Sequence, residues 1–229
     1  MNNVTIDYRD CDRQIWEEDL NDFVPDRILD AHIHMFNRAD FKSLSPKLLN
    51  AEDNDLDDLN AWAKVLYPGR RMNYLTLGYP LGEVDVAKQV VFMKSEIEKM
   101  PEVRHHRLVT PSCKIEDIAR DMEHPQIIGL KPYRTHSVTG DIAQCRIHEF
   151  LPHEQMELAN DLGLWVTMHL SRSEGCGDEA NLEDLAEYTA NRYPRIKWIL
   201  AHCARAFNAF MMEDAIRFLC DLPNIWYDT

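Results

Sequence analysis

Short apolar segments alternate with longer segments of helical periodicity along most of this chain, and this alternation constrains the fold more than any other feature. Each of the first six strand-like segments is followed by an amphipathic helical segment, and a seventh strand-like segment follows the last of these helices. Consecutive strands joined through a helix pair in parallel, because the chain must cross back over the sheet between them. The sequence therefore predicts an α/β fold in which helices cover a parallel sheet.

The positions of these segments follow from their periodicity and from the residues that end them. Strands are predicted at residues 27–36, 73–78, 107–110, 126–131, 165–169, 197–202 and 225–228, and helices at residues 59–66, 84–100, 115–122, 149–162, 182–193 and 206–222. An acidic cluster at residues 52–58 lacks the glycine and the terminal glutamate of a calcium loop, so we interpret it as a solvated helix start. The sequence contains no flexible linker and no repeat, so a second domain is not expected.

Composition and net charge exclude several classes of function. The 229 residues include 39 acidic and 25 basic side chains, which gives a formal net charge of -14. Such a protein has no general electrostatic attraction to nucleic acids or anionic membranes, so we expect neither as a partner. No apolar run reaches about 18 residues and the N-terminal segment is acidic, which predicts a cytoplasmic protein. Six cysteines without a C-x-x-C pair indicate reduced thiols.

Histidines stand at the carboxyl ends of three predicted strands, which is where parallel α/β folds bind ligands. Of ten histidines, His32 and His34 end the first strand, His169 ends the fifth and His202 ends the sixth. Side chains two residues apart on a strand share a face, so His32 and His34 present two imidazoles together. A single buried histidine is more often structural than a ligand, but this joint pattern predicts a metal site.

The other histidines fall on predicted loops or helices, and we expect them to be solvated. They are His105, His106, His124, His136, His148 and His153. Among them, His136 and His148 are candidate neighbours of the pocket.

Basic residues are also predicted near this edge of the sheet. Lys131 ends the fourth strand, where it can be a carbamylated bridge between two metals, an ammonium that binds a substrate carboxylate, or a lysine whose charge extends into water. Three arginines each lie two to three residues beyond a strand-end lysine or histidine: Arg134, Arg172 and Arg205. A guanidinium binds a carboxylate through two parallel hydrogen bonds, so these arginines indicate an anionic substrate. The alternative is that they are surface residues at helix starts.

Three segments together resemble a known family. Asp-Ala-His-Ile-His at residues 30–34, Thr-Met-His-Leu-Ser at 167–171 and Leu-Ala-His-Cys at 200–203 resemble the amidohydrolase superfamily of metal-dependent TIM-barrel enzymes. They are most similar to its amidohydrolase-related (amidohydrolase 2) branch, whose seventh strand the Asn-Ile-Trp-Tyr-Asp-Thr segment at 224–229 also resembles. The resemblance implies a (β/α)8 TIM barrel over residues 28–229, preceded by an N-terminal extension of residues 1–27.

The resemblance also implies roles for individual residues. His32, His34 and His169 would bind one zinc ion, and a second metal would bind if Lys131 were carbamylated. His202 would either bind that second metal or polarise the substrate or activate water. The family's remaining catalytic group is an aspartate at the end of strand eight, so we expect that residue and the last part of the barrel to lie outside these 229 residues.

Two aspartates of the chain do not match that missing position. Asp228 belongs to the element that resembles strand seven, so it is expected to lie one βα unit away from the strand-eight aspartate. Asp30 is expected to lie below His32 on the same strand face and to orient neighbouring side chains.

The predicted function is hydrolysis of an acyl C–O or C–N bond, in a lactone or amide, of a small carboxylate-bearing metabolite by metal-activated water. One alternative is metal-dependent, non-oxidative decarboxylation of an aromatic or enol acid. A further alternative is a catalytically incomplete metal-binding fragment. The expected partners are an anionic small molecule and further copies of the same chain.

Overall fold

The computed structural model of the protein describes residues 7–44 and 53–228. Within these ranges, seven strands form one sheet in which each strand pairs in parallel with the next one along the chain. The strands are β1 Arg27–His34, β2 Arg71–Leu77, β3 Arg104–Val109, β4 Ile127–Pro132, β5 Trp165–Met168, β6 Lys197–Leu200 and β7 Ile225–Tyr227. This sequential parallel order is that of a (β/α) barrel, as the alternating segments predict.

Helices precede and separate the strands. They are α1 Asp10–Ile15, α2 Leu56–Leu66, α3 Val86–Ile97, α4 Ile115–Asp121, α5 His153–Leu162, α6 Glu179–Glu187 and α7 Ala209–Leu219. Asp55 caps α2 by accepting a hydrogen bond from the Asp58 backbone N–H, so the described part of the acidic cluster is a helix start, as predicted. None of the helices in the described ranges is long and apolar enough to span a membrane.

Most elements begin a few residues from the predicted position, and two of these shifts involve histidines. The helix expected from residue 149 starts at His153, after a 3-10 turn at Ile147–Glu149. Pro152 precedes its first residue, a position where the missing backbone N–H costs no helical hydrogen bond. Strand β3 starts at Arg104, so the expectation that His105 and His106 are solvated is wrong; both are buried strand residues.

Alternation of side chains along the strands separates a helix-facing core from the barrel interior. Val166 and Met168 of β5 are fully buried in the larger apolar cluster, together with Trp198 and Leu200 of β6. That cluster also contains residues of the covering helices α5 and α6. Because neighbouring residues of a strand point to opposite faces, Thr167 of β5 faces the interior of the barrel.

The sheet curls so that its first and last strands approach each other at their carboxyl ends. His32 lies on β1 and Asp228 directly follows β7, and His32 Nδ1 lies 2.5 Å from Asp228 Oδ2. Residues from β1, β5, β6 and β7 therefore meet at one edge of the barrel.

Candidate metal centre

The four histidines predicted from the strand ends lie together at the carboxyl edge of the sheet. The ring centroids of His34 and His32 are 5.3 Å apart, those of His32 and His202 are 4.6 Å apart, and those of His202 and His169 are 5.5 Å apart. We refer to these four residues as the histidine rim. The rim forms because β1 supplies two imidazoles to this edge of the sheet, and the segments that directly follow β5 and β6 supply one each.

Three of the rim imidazoles are held in the same way. Their Nδ1 atoms lie 2.5 Å from Asp228 Oδ2 for His32, 3.2 Å from the Gly78 carbonyl oxygen for His34, and 3.2 Å from the Leu170 carbonyl oxygen for His169. A carboxylate or carbonyl oxygen only accepts, so Nδ1 of each neutral ring carries the proton and donates it. The Nε2 atom of each ring then keeps its lone pair, as in histidines that bind metals.

The surroundings favour the neutral form of three rim histidines, His34, His169 and His202. Burial, followed by the charge of Lys131, lowers the pKa of His34 well below its usual range and lowers the pKa of His169 to about 3. Burial and the neighbouring His32 lower the pKa of His202. A metal ion binds the neutral form of imidazole, so the residues present fit a transition-metal ion such as zinc.

His202 lies on a left-handed turn that follows β6. The strand predicted to extend to residue 202 ends at Leu200, and His202, Cys203, Ala204 and Arg205 have φ values of 57°, 50°, 56° and 56°. Each residue with a side chain costs about 1–2 kcal/mol in this conformation, so the turn must be held by contacts outside it. Asp228 supplies two of them: its carboxylate accepts from the His202 backbone N–H, and its backbone oxygen lies 2.8 Å from the Cys203 nitrogen.

Asp228 is a site residue that the sequence analysis placed elsewhere. One ligand atom each of His32, His202 and Asp228 lies within 4.8 Å of the others, close enough for the three to hold a metal ion. Burial opposes ionisation of Asp228, but hydrogen bonds from His32 and His202 lower its pKa. Asp228 ends a predicted strand, which is the same signal that identified His169. It was excluded because its strand was counted as the seventh and not the eighth.

Asp30 lies two residues before His32 on β1, at an irregular point of the strand pairing. The pairing of β1 with β2 shifts register between Asp30 and Ile33, which interrupts the alternation of side chains. The Asp30 carboxylate accepts a hydrogen bond from the backbone N–H of His32, at 3.1 Å. Asp30 thus supports the backbone of the metal-site strand.

Lys131 is completely buried at the end of β4. Its Nζ atom has no hydrogen-bond partner among the described residues and lies 5.5 Å from the centre of the Tyr133 ring. Burial lowers the pKa of Lys131 from 10.5 to about 7. Its burial excludes the alternative in which the charge extends into water; the carbamylated and carboxylate-binding alternatives both remain.

His106 extends the polar interior below the rim. A Cβ atom at Gly129 would lie 2.7 Å from the His106 ring, so the ring occupies the space that a side chain of β4 would need. His106 Nδ1 reaches Thr167 Oγ1 at 2.8 Å, while Nε2 has no partner in the described part of the chain. Burial lowers the pKa of His106 well below its usual range, so this ring is neutral. A glycine on the neighbouring strand was the only sequence signal of this arrangement.

The three predicted substrate-binding arginines lie on loops at this edge, and each contacts other loop groups. Arg134 Nη1 lies 2.9 Å from the Ile142 carbonyl oxygen. Arg172 Nε lies 2.6 Å from Asp178 Oδ1, and its Nη1 atom contacts the Gln144 carbonyl oxygen. Arg205 Nη1 contacts three carbonyl oxygens of the loop after β5. Substrate binding by these arginines stays a prediction.

The two candidate pocket histidines lie away from the rim. His136 lines a cleft of about 1120 Å³ beside α3 and α4, whose lining among the described residues contains none of the rim histidines. His148 is exposed, and its ring stacks on that of His153 at a centroid distance of 5.4 Å. The cleft contains charged groups of both signs, and its described residues include no cluster of metal-ligating atoms, so the rim is the stronger candidate for chemistry.

Solved structures with a similar fold include enzymes of two kinds. An amidohydrolase from Burkholderia multivorans with bound zinc matches with a TM-score of 0.57 and 14% identity, over 87% of this chain and 68% of that chain. Dihydroorotase from Campylobacter jejuni gives a TM-score of 0.51 at 16% identity, over 87% of this chain and 52% of that chain. A 5-carboxyvanillate decarboxylase from Sphingomonas paucimobilis gives 0.51 at 13% identity, over 88% and 76%. In sequence, no protein-family model and no curated protein matches this chain.

These similarities define the class of the fold. The α/β barrel fold is shared with the amidohydrolase and the dihydroorotase, so the fold that the resemblance implies is confirmed. The chain has the α/β barrel fold of these solved structures. Because the sequence identities are only 13% to 16%, these similarities establish the fold and do not establish the reaction or the substrate.

Proposed function

We propose that this protein is a metal-dependent hydrolase of the amidohydrolase superfamily, which cleaves an acyl C–O or C–N bond of a small carboxylate-bearing metabolite. The observation that carries the proposal is the Nδ1 hydrogen bonding shared by His32, His34 and His169, next to the group formed by His32, His202 and Asp228, whose ligand atoms lie within 4.8 Å of one another. Each ring gives its Nδ1 proton to an oxygen and keeps Nε2 for a ligand. Three imidazoles arranged in this way suit zinc.

His32, His34 and His169 would hold the metal through Nε2, and Asp228 would keep His32 in the required tautomer. A zinc ion held by three protein groups polarises a carbonyl oxygen and lowers the pKa of bound water to about 7. His202 is neutral and adjoins both His32 and His169, so it is placed to exchange a proton with the reacting group.

The substrate class follows from the cations around the rim. In a protein with a net charge of -14, Lys131, Arg134 and Arg172 lie on β4 and on the loops that follow β4 and β5. The buried amine of Lys131 would bind the substrate carboxylate when protonated, because no described residue already partners its Nζ atom. If the same amine were carbamylated, Lys131 would instead bridge the first metal ion and a second one.

A test uses zinc-loaded protein with lactones and amides that carry a carboxylate, each paired with an analogue in which the carboxylate is a methyl ester. We expect uptake of one solvent oxygen into the product, detected by mass spectrometry in heavy-oxygen water, and a lower KM for the carboxylate. Equal KM values for each pair would contradict the anionic substrate, and a lack of turnover with all pairs would contradict hydrolysis.

Decarboxylation is a second candidate, favoured by the state of Asp228. Both of its carboxylate oxygens are engaged, one by His32 and one by the His202 backbone. Hydrolysis needs a group that accepts the proton of water, whereas decarboxylation of an aromatic or enol acid involves no attacking water. Release of carbon dioxide without uptake of solvent oxygen would support this alternative over hydrolysis.

A further inference from the structure

Arg205 ends the left-handed turn that begins at His202, and its side chain reaches the loop after β5. Its Nη1 atom lies 2.8 Å from the carbonyl oxygen of Leu170, 3.1 Å from that of Ser171 and 2.9 Å from that of Arg172. These three residues directly follow His169. One guanidinium therefore joins the backbone segments that carry two of the rim histidines.

One of these three oxygens has a second role. The Leu170 carbonyl oxygen accepts from His169 Nδ1 at 3.2 Å as well as from Arg205. The position of this oxygen determines which nitrogen of His169 carries the proton and where Nε2 points. Any movement of the Leu170 carbonyl is thus transmitted to the His169 ring.

The same loop also packs closely on the Arg205 backbone. Gly175 has a φ of 57°, and a Cβ atom added to it would lie 2.5 Å from the Arg205 carbonyl oxygen and 2.7 Å from Arg205 Cβ. Asn181 of α6 completes the arrangement, because its Nδ2 atom contacts the carbonyl oxygens of Ser171 and Gly175 at 3.0 and 2.8 Å. The loop after β5 therefore contacts both the side chain and the backbone of Arg205.

We propose that Arg205 is a positioning residue, which locks the Leu170 carbonyl onto His169 and thereby sets the orientation of His169 relative to His202. This role differs from direct binding of a substrate carboxylate, since Nη1 is already used by three neutral acceptors. The expected effect of Arg205 on zinc affinity rests on the proposed function, in which the histidine rim binds zinc. Lysine is a poorer replacement, because its ammonium is carried on a flexible stem, whereas the planar guanidinium is preorganised and loses less conformational freedom for each hydrogen bond formed.

The experiment compares Arg205→Met and Arg205→Lys with Arg217→Met, a control on the exposed face of α7 whose partner is Glu213. Zinc affinity is measured by competition with a chelator, and amide hydrogen exchange is followed at residues 169–177. We expect zinc binding about 10–100-fold weaker and faster exchange in this loop for both Arg205 variants. The Arg217 control should match the wild type in both measurements.

Two results would overturn the proposal. One is a higher KM for an anionic substrate with unchanged zinc affinity and unchanged exchange at residues 169–177, which is the result expected of a substrate-binding arginine. The other is faster hydrogen exchange across the whole protein, which would mean a general loss of stability. If Arg205→Met does not fold, Arg205→Lys, the milder change, is used for the same measurements. If the wild type binds no zinc, the proposed function fails, while hydrogen exchange still tests the contact between the two segments.

Discussion

Asp228 contacts two of the four rim histidines, and each contact uses a different carboxylate oxygen. Its Oδ2 atom lies against His32 Nδ1, and Oδ1 accepts from the backbone N–H of His202. At the scale of single residues, the oxygens that hold the imidazoles matter as much as the imidazoles, because they decide which nitrogen is free. Two of these oxygens belong to the backbone, at Gly78 and Leu170, where sequence patterns carry no signal.

Replacing Asp228 tests this dependence. An amide in Asp228→Asn can present an N–H to His32, which favours the tautomer whose proton is on the wrong nitrogen. We expect zinc affinity to fall about 10–100-fold, measured by chelator competition. Asp221→Asn, which changes an exposed aspartate seven positions away, is the matched control. Equal zinc affinity in the two variants would contradict the role assigned to Asp228.

Lys131 gives a prediction about stability and pH in metal-free protein. Its pKa is about 7 in the folded state and 10.5 when unperturbed, so between these values the unfolded chain binds one more proton. The free energy of unfolding should therefore rise with pH by about 1.4 kcal/mol per unit over this window, relative to Lys131→Met. The Met variant should be the more stable at pH 7, because methionine fills the site without a buried amine.

Urea unfolding of both proteins at several pH values between 7 and 10.5 measures the difference. Parallel pH profiles for the wild type and Lys131→Met would show that the amine of Lys131 is not buried in the folded protein.

At the scale of elements, the sequence predicted the seven strands and the helices between them to within a few residues, because burial on one face imposes the periodicity of each segment, but it did not predict α1. It could not predict the left-handed turn after β6, which contains no glycine and is stabilised by Asp228 and by the contact of Arg205 with the loop after β5. It also missed the burial of His106, since that ring fits only beside Gly129 of the neighbouring strand. Both errors come from contacts between distant segments.

The left-handed turn predicts an unusual effect of glycine. Cys203 has φ 50° and ψ 43°, a conformation that glycine adopts without the steric cost of a Cβ atom. We expect Cys203→Gly to be more stable than Cys203→Ala by about 0.5–1 kcal/mol in urea unfolding, after the entropic cost of glycine is subtracted. If the alanine variant is equally or more stable, the turn does not have this conformation.

At the scale of the whole molecule, an acidic surface surrounds an interior edge that collects cations and neutral imidazoles. The net charge of -14 disfavours anions in general, whereas Lys131 and the loop arginines favour them locally. This arrangement results from the curl of the sheet. The curl brings residues of β1 and β7, which are far apart in the sequence, to the edge where β4 and β5 end. The sequence predicted which strand ends meet, but not the contact between the first and last strands.

Buried histidines should make the whole fold sensitive to acid. Burial lowers the pKa of His105 from 6.5 to about 3, so below pH 6.5 the unfolded chain binds a proton that the folded protein does not. Stability should therefore decrease as the pH falls from 6.5 towards 3, by about 1.4 kcal/mol per unit for this residue. Replacing His105 with Gln should flatten the dependence measured by denaturant unfolding, and His148→Gln, at an exposed position, should not. Identical profiles for the two variants would contradict burial of His105.

The central claim is that the histidine rim binds a metal ion through Nε2 atoms. Crystals of the protein prepared with zinc, with diffraction data collected on both sides of the zinc absorption edge, test it most directly. We predict an anomalous difference peak within about 2.0–2.1 Å of the Nε2 atoms of His32, His34 and His169. A zinc-loaded crystal without a peak at the rim, or with a peak bound through Nδ1 atoms, would contradict the claim.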